Sequence, residues 1–405
     1  MRILLVTQYF YPEQFKSNDL AFELQKRGHQ VTVLTGLPNY PGGKFYKGYG
    51  VFKKRRETVE GVDVIRTLVV PRGNGSGARL AINYLSWAFF ASLRALTLSF
   101  QKRFDAIIVH ETSPITQGYP ALLVRKIQRI PIYFWVLDLW PESLQSAGNI
   151  NNEFVLNIFK RETKRMYEHS HKILVSSKGF IKSILEKGEY LDKLEYFPNW
   201  AEEDLFENAE IKPIPDLKAG FKVMFAGNIG EAQDFEHVMQ AALLLKKEKN
   251  IQFIFIGDGR RKEWVDSFIE KHQLSDTVSA LGRFPIDLMP SFFKQADVML
   301  LALKDDYIFS LTAPAKLQAY MAAAKPVVAM IDGEARNLIA DSNCGVSSPA
   351  KDYQGLAENI LKLSKMNGDD LRAYGENGWN YYRKYFTKEK CIDNLCAMLA
   401  DGNSN

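Results

Sequence analysis

The chain has 405 residues, 46% of them hydrophobic and 24% charged, with a formal net charge of +5 and three cysteines. That length implies two or three domains, and the apolar share suffices for sizeable cores and argues against wholesale disorder. The cysteines (Cys344, Cys391, Cys396) all fall in the last quarter, which excludes a disulfide scaffold and gives no zinc-type spacing. The charge is uneven. Residues 1–200 carry 28 Lys and Arg against 17 Asp and Glu, the rest carry 24 against 30, and residues 44–103 alone carry 12 against 3. A basic half joined to an acidic half points to an anionic partner for the first half.

In chain order, short Val- and Ile-rich runs at residues 3–7, 31–35, 106–110, 132–137 and 173–176 read as parallel strands buried on both faces. The first of these is too short for a signal-peptide core, so a reducing cytoplasm is expected. Residues 19–27 read as a helix ended by Gly28. The apolar stretch 79–100 approaches the roughly 20 residues that span a bilayer. Asn83, Ser86, Ser92 and Arg94 interrupt it, and a central arginine costs about 2.5–3.5 kcal/mol on insertion scales. It therefore reads as a buried core helix or an interfacial one, with Trp87 and Phe90 as apolar anchors. The basic run Lys53, Lys54, Arg55 and Arg56 favours an anionic lipid surface. After Phe197–Pro198–Asn199–Trp200 an acidic, proline-containing linker runs to about Leu217. Strand patterns resume at 223–226, 253–256, 278–281, 298–303 and 327–331, and the chain is helical and rich in Trp and Tyr from Leu371 onward. Alternating strand and helix on both sides of the linker predicts two doubly wound α/β domains, residues 1–198 and 199–384, with a final helix, about 385–405, crossing back onto the first.

Ligands of open α/β sheets bind beyond the carboxyl ends of the strands, which selects the residues following each run. In the first half these include Glu13, Glu111, Asp138 and Glu142. Asp138 directly follows an apolar strand and is the stronger candidate; Glu142 reads equally well as a helix N-terminal charge. In the second half Gly227, Asn228 and Gly230 lie between a strand and a helix, where backbone N–H groups approach an anion. Arg283 follows another strand. Pro314 suits a first helical turn, leaving the free N–H groups near Ala315 and Lys316, with the Lys316 ammonium, to hold a diphosphate. A carboxylate in Asp332–Gly333–Glu334 can accept hydrogen bonds from a ribose diol. No GxGxxG follows the first strand and no GxxxxGK[ST] occurs, against a conventional NAD half or a P-loop NTPase. His110, His169 and His171 have no catalytic zinc spacing. The pattern suggests group transfer from a phosphorylated donor.

The chain resembles the family 4 retaining glycosyltransferases of the GT-B fold over nearly all its length. The resemblance rests on the opening MRILLVTQYFYPE, on Lys26–Arg27–Gly28–His29, on Phe197–Pro198–Asn199–Trp200, on Phe225–Ala226–Gly227–Asn228–Ile229–Gly230 and on Tyr320–Met321–Ala322–Ala323–Ala324–Lys325–Pro326–Val327. Leu37–Pro38–Asn39–Tyr40–Pro41, Asp138–Leu139–Trp140–Pro141–Glu142–Ser143 and Pro314–Ala315–Lys316–Leu317–Gln318 resemble bacterial O-antigen and capsule transferases, including those of N-acetyl-L-fucosamine. The fold implied is α/β, two Rossmann-like doubly wound parallel-sheet domains facing across a cleft, with the acceptor on the first and the nucleotide-sugar on the second. The chain departs from the family at the Glu-x7-Glu pair, where Leu311 and Ala319 stand. Gln318 or Glu334 is then the expected ribose contact. The basic pair after the phosphate loop is replaced by Glu231, Ala232 and Gln233, which places more of the diphosphate charge on Lys316 and Arg283.

What the resemblance implies is a UDP-sugar donor and a lipid-diphosphate-linked saccharide acceptor at the anionic inner face of the plasma membrane. Lys316, Asp138 and Glu13 are the catalytic candidates, and no metal or cofactor is expected. A sugar-nucleotide epimerase and a non-catalytic membrane-surface binding protein are the alternatives. Nucleic acid is not an expected partner, because the basic region lies beside an apolar stretch rather than stacking aromatics.

Overall fold

A computed structural model describes residues 1–146, 150–201, 206 and 209–402. Linker residues 202–205 and 207–208, and the last three residues of the expected final helix, lie outside the described residues. The chain divides into two compact units, Met1–Pro198 with Ile392–Asn405, and Asn199–Cys391.

Unit 1 is built on eight strands: β1 (Arg2–Val6), β2 (Gln30–Gly36), β3 (Arg56–Val59), β4 (Val62–Thr67), β5 (Ala106–Glu111), β6 (Ile132–Val136), β7 (Lys172–Val175) and β8 (Leu194–Tyr196). Their order is β3-β4-β2-β1-β5-β6-β7-β8, parallel throughout except for the β3–β4 hairpin. The five apolar runs became β1, β2, β5, β6 and β7, because strands covered by helices on both faces must be apolar on both. The hairpin and β8 have no such run. β3 alternates exposed and half-buried residues, and the turn into β4 uses Gly61 at φ +80°. The helices are α1 (Lys16–Lys26), α2 (Gly77–Gln101), α3 (Tyr119–Gln128), α4 (Glu142–Ser146), α5 (Glu153–His169) and α6 (Phe180–Leu185).

Helix α2 resolves the ambiguous apolar stretch. Its inner face holds Asn83, Trp87, Ala88, Ala91, Ala95 and Leu98, all buried. Asn83, which looked like an interruption, accepts from Gln8 Nε2 (2.8 Å) and donates to the Val70 carbonyl (2.6 Å). Trp87 is fully buried and packs against Gly36, where a Cβ would come within 2.9 Å of the indole. Its expected place as a membrane anchor is therefore corrected: it is core. Phe90 is half-buried, and the outward residues are Ile82, Leu85, Phe89, Leu93, Leu96 and Phe100. These recur every three or four residues, one face of a helix. The basic run is also partly engaged. Arg55 Nε donates to the Arg66 carbonyl (2.8 Å), Arg56 pairs with Asp63 (2.9 Å) and Lys54 approaches Glu57 (3.8 Å). Phe52 beside Lys53 is 96% exposed. Ser92 of α2, Leu122 and Leu123 of α3 and Arg165 of α5 line one groove, so the three helices share a face.

Unit 2 has six parallel strands, β9 (Phe221–Ala226), β10 (Ile251–Ile256), β11 (Val278–Gly282), β12 (Val298–Ala302), β13 (Val327–Met330) and β14 (Gly345–Ser348). They run in the order β11-β10-β9-β12-β13-β14. Its helices are α7 (Phe235–Leu244), α8 (Lys262–Lys271), α9 (Met289–Gln295), α10 (Tyr307–Leu311), α11 (Ala315–Ala322), α12 (Glu334–Ser342), α13 (Tyr353–Ser364) and α14 (Gly368–Tyr385). The Phe235 ring packs edge-on against Phe225 (5.0 Å) and Phe255 (5.2 Å), joining α7 to the sheet.

The aromatic tail does not itself return to unit 1. Trp379, Tyr381 and Tyr382 lie on α14, within unit 2, and the Tyr382 hydroxyl accepts from the Ala201 N–H (3.0 Å). The last helix, α15 (Lys388–Asp401), enters unit 1 at Ile392. There Ile392, Leu395 and Leu399 are buried, Asp393 pairs with Arg27 (2.6 Å), and the Tyr133 hydroxyl donates to the Met398 carbonyl (2.8 Å).

Candidate active site

Doubly wound sheets bind ligands where the strand order turns back. In unit 2 that point lies between β9 and β12. The loop after β9 is bound to the loop after β10: Gly227 N–H donates to the Ile256 carbonyl (2.8 Å) and Ile229 N–H to the Asp258 carbonyl (2.9 Å). A Cβ on Gly257 (φ +140°) would overlap the Gly227 carbonyl oxygen, so glycine is required for this close approach. Gly227 (φ +140°) admits the Lys316 side chain, whose Nζ would stand 2.9 Å from a Cβ there. Asn228 Nδ2 occupies the corresponding space beside Gly230, whose N–H donates to Gln233 Oε1 (3.1 Å).

Lys316 lies in the first turn of α11, after the Pro314 cap, next to the exposed Ala315. Its ammonium sits over the Phe225 ring and forms no ion pair among the described residues. Burial lowers its pKa to about 8. Arg283 is exposed after β11, the edge strand, with β10 between it and β9. Gln318 is 1% exposed and so presents no open edge to a ribose; among the described residues neither of its amide atoms is hydrogen-bonded. Glu334 opens α12 after Gly333 (φ +69°) and is half-buried.

Two basic residues from distant positions in the chain are brought to the phosphate loop, Arg261 from beside the strand-end glycines Gly257 and Gly259 and Lys304 from the end of β12. Arg261 Nε pairs with Glu231 Oε1 (2.6 Å) and Lys304 Nζ with Glu231 Oε2 (3.0 Å), while Arg261 also holds Glu236 (2.5 Å). The basic pair missing after Gly230 is thus supplied from elsewhere in the chain, but carboxylates already neutralise it.

In unit 1, Asp138 follows β6 and accepts from the Ser143 hydroxyl. Burial raises its pKa to about 6, against hydrogen bonding, that of Ser143 foremost, which lowers it. Glu111, at the end of β5, is fully buried, and neither carboxylate oxygen is hydrogen-bonded among the described residues. Burial, and secondarily the Asp138 charge, raise its pKa well above the usual range. Only its position after a strand marked it in the sequence; its sealing from solvent did not show there. His110 is held neutral, burial lowering its pKa to about 3. Glu142 pairs with the buried Lys187 and accepts from the Ser183 hydroxyl (2.7 Å), a structural arrangement. Glu13 accepts from the N–H groups of Asn39 (2.7 Å) and Tyr40 (2.6 Å), pinning the loop after β2, and burial raises its pKa to about 7.

Two doubly wound units, one with glycine loops and an unpaired lysine at its switch point, define a glycosyltransferase of the GT-B class. Residues 17–200 match the model described as Glycosyl transferase 4-like domain, and residues 207–380 that of Glycosyl transferases group 1. The chain belongs to this glycosyltransferase family. It is 29% identical over 351 residues to the probable glycosyltransferase WbjE of Pseudomonas aeruginosa, covering 82% of this chain and 84% of that one. It is 24% identical over 297 residues to the putative colanic acid biosynthesis glycosyl transferase WcaI of Escherichia coli K12, covering 69% and 70%. In fold it is similar to Anabaena Alr3699/HepE, solved in complex with UDP, at a TM-score of 0.70 and 15% identity over 99% of this chain and all of that one.

Proposed function

We propose that this enzyme moves a sugar from a UDP-sugar bound by unit 2 to a lipid-diphosphate-linked saccharide held by unit 1, retaining anomeric configuration, in assembly of a bacterial O-antigen or capsule. The observation that carries the reading is the unpaired Lys316 ammonium at the switch point of unit 2. HepE binding UDP and UDP-glucose supports the donor class, and the colanic acid role named for WcaI supports a surface polysaccharide. The sugar proposed is an N-acetylated deoxyhexosamine such as N-acetyl-L-fucosamine.

As the bond from the sugar's anomeric carbon to the diphosphate breaks, negative charge grows on the leaving UDP. Lys316, Arg283 and the N–H groups that open α11 at Ala315 stabilise it, commonly the largest catalytic term, while the Gly227 and Gly230 amides are spent on holding the phosphate loop in shape. With cations in that role no metal is required. Glu334 holds the ribose, and Asp138 orients the acceptor or the transferred sugar.

Among the described residues no helix is long and apolar enough to cross a membrane. The outward stripe of α2, on a helix with no acidic residue, and exposed Phe52 beside Lys53 support docking on an anionic inner-membrane surface. The experiment is a panel of UDP- and GDP-sugars with a polyprenyl-diphosphate saccharide, the product's anomeric configuration being read by NMR. Transfer with retention from one UDP-sugar is expected. Inversion, or conversion of the donor without acceptor, overturns the proposal.

A further inference from the structure

The segment between β4 and α2 carries Arg72 across the carboxyl-end side of the unit 1 sheet, where the loops after β1 and β2 meet it. The Arg72 guanidinium lies 5.8, 5.0 and 5.8 Å from the ring centres of Tyr9, Tyr40 and Tyr84. Its Nη1 donates to the Tyr9 hydroxyl (2.6 Å), and its backbone N–H donates to Asn39 Oδ1 (3.1 Å). Tyr9 stacks on Phe15 (5.0 Å), and Tyr40 tilts against both rings. The cup is therefore rigid and aromatic.

No carboxylate answers this cation. Arg27, Arg56 and Arg66 of the same unit pair with Asp393, Asp63 and Glu57, whereas Arg72 forms no ion pair among the described residues. The nearby Glu13 carboxylate is engaged by Asn39 and Tyr40 N–H groups. A guanidinium cannot shed its charge, and its planar fork matches phosphate oxygens. Half-buried and held by rings, it is pre-organised for an anion. Exposed Arg79 lies beside Gly73, where a Cβ would stand 3.2 Å from its Nε. The apolar outer stripe of α2 begins at Ile82, three residues further on. Tyr40, 38% exposed, offers a ring to a pyranose.

We propose that Arg72, cupped by Tyr9, Tyr40 and Tyr84, anchors the diphosphate of the saccharide acceptor, with Arg79 beside it and the lipid chain running along α2. This rests on the acceptor class given above. It makes the enzyme selective for phosphate-bearing acceptors rather than for the saccharide alone.

The test is calorimetric and needs no donor. Full-length wild type, Arg72→Ala and Arg72→Lys are titrated with a short-chain prenyl-diphosphate saccharide, the same saccharide as an alkyl glycoside, phosphatidylglycerol vesicles and UDP. Losing a charge-assisted contact should weaken the diphosphate saccharide by about 10- to 100-fold in Arg72→Ala. Lysine should recover part of it as a point charge without the fork. Alkyl glycoside, vesicle and UDP binding should be unmoved, and inorganic diphosphate should compete for the wild-type site. Equal loss for both saccharides, loss confined to vesicles or to UDP, or no loss overturns the proposal. Should Arg72→Ala fail to fold, Arg72→Lys decides by the same comparison. Arg72-dependent binding without sugar transfer would sink the transferase reading alone, while transfer indifferent to Arg72 would sink this proposal alone.

Discussion

The Lys316 ammonium stands 4.1 Å from the centre of the Phe225 ring. That contact joins the first turn of α11 to the end of β9, and Gly227 leaves the room for it. A cation–π contact of this kind returns about 0.5–2 kcal/mol, less than the cost of desolvating an ammonium. The lysine is therefore charged at neutral pH but under tension that an anionic donor relieves.

Its pKa, lowered to about 8, sets the first prediction. UDP affinity should fall as pH rises through 8, because the protonated form holds the diphosphate, and Lys316→Arg should abolish the fall below pH 10. Between pH 8 and the ordinary lysine range the folded state binds fewer protons than the unfolded, so stability rises with pH there. Lys316→Met should gain about 1–2 kcal/mol at pH 7 and lose about 100- to 1,000-fold in turnover. Calorimetry, urea unfolding and initial rates check this, and near-normal turnover would remove Lys316 from the machinery.

Asp138, with its pKa raised to about 6, behaves in the opposite sense to a salt-bridged carboxylate. From the ordinary aspartate range up to pH 6 the folded state holds a proton the unfolded state has lost, so stability falls as pH rises through that window. Asp138→Asn should remove this dependence and gain about 1–3 kcal/mol at pH 7 while activity collapses. Urea unfolding at pH 4 and pH 7, with rates measured alongside, reads both; a destabilised, active variant would contradict it.

Glu142 and Lys187 form a buried pair, with side chains 18% and 4% exposed. Glu142→Gln leaves an unpaired buried ammonium and should cost about 3–5 kcal/mol. Lys187→Met in the same chain should recover most of that. Denaturant midpoints of the two single variants and the double variant measure the coupling.

The two faces of α2 should respond differently. Trp87→Ala should cost about 3–5 kcal/mol as a core deletion. Phe89→Asp with Leu93→Asp should change stability by about 0.5 kcal/mol or less, since both side chains face solvent. The same pair should abolish salt-sensitive binding to phosphatidylglycerol vesicles. Unchanged vesicle sedimentation in that variant would remove α2 from any membrane contact.

Much of the fold was legible. The five strand runs of unit 1 end within one residue of the structure, and those of unit 2 within two, because parallel strands covered on both faces leave an unbroken apolar signature. β14, Gly345–Ser348, has no apolar run and is edge-paired to β13, so nothing local marked it. The strand-end rule pointed to Asp138, Gly227 and Lys316. It could not say that Glu142 is paired to Lys187, forty-five residues away, or that Gln318 is sealed.

The sequence by itself determined the alternation of strand and helix, the division near Pro198 and the loops that carry polar chemistry, since these follow from local burial patterns and glycine and proline chemistry. Tertiary structure alone decided which face of α2 is core, because that helix carries large apolar residues on both its inner and its outer side, and contacts with Gln8, Gly36 and Val70 put Asn83 and Trp87 inside. It also decided which charges are answered. Arg261 and Lys304 reach Glu231 from distant positions, while Lys316 and Arg72 meet aromatic rings instead of carboxylates. A charge's partner is a matter of spatial neighbours, and a linear pattern does not hold that information.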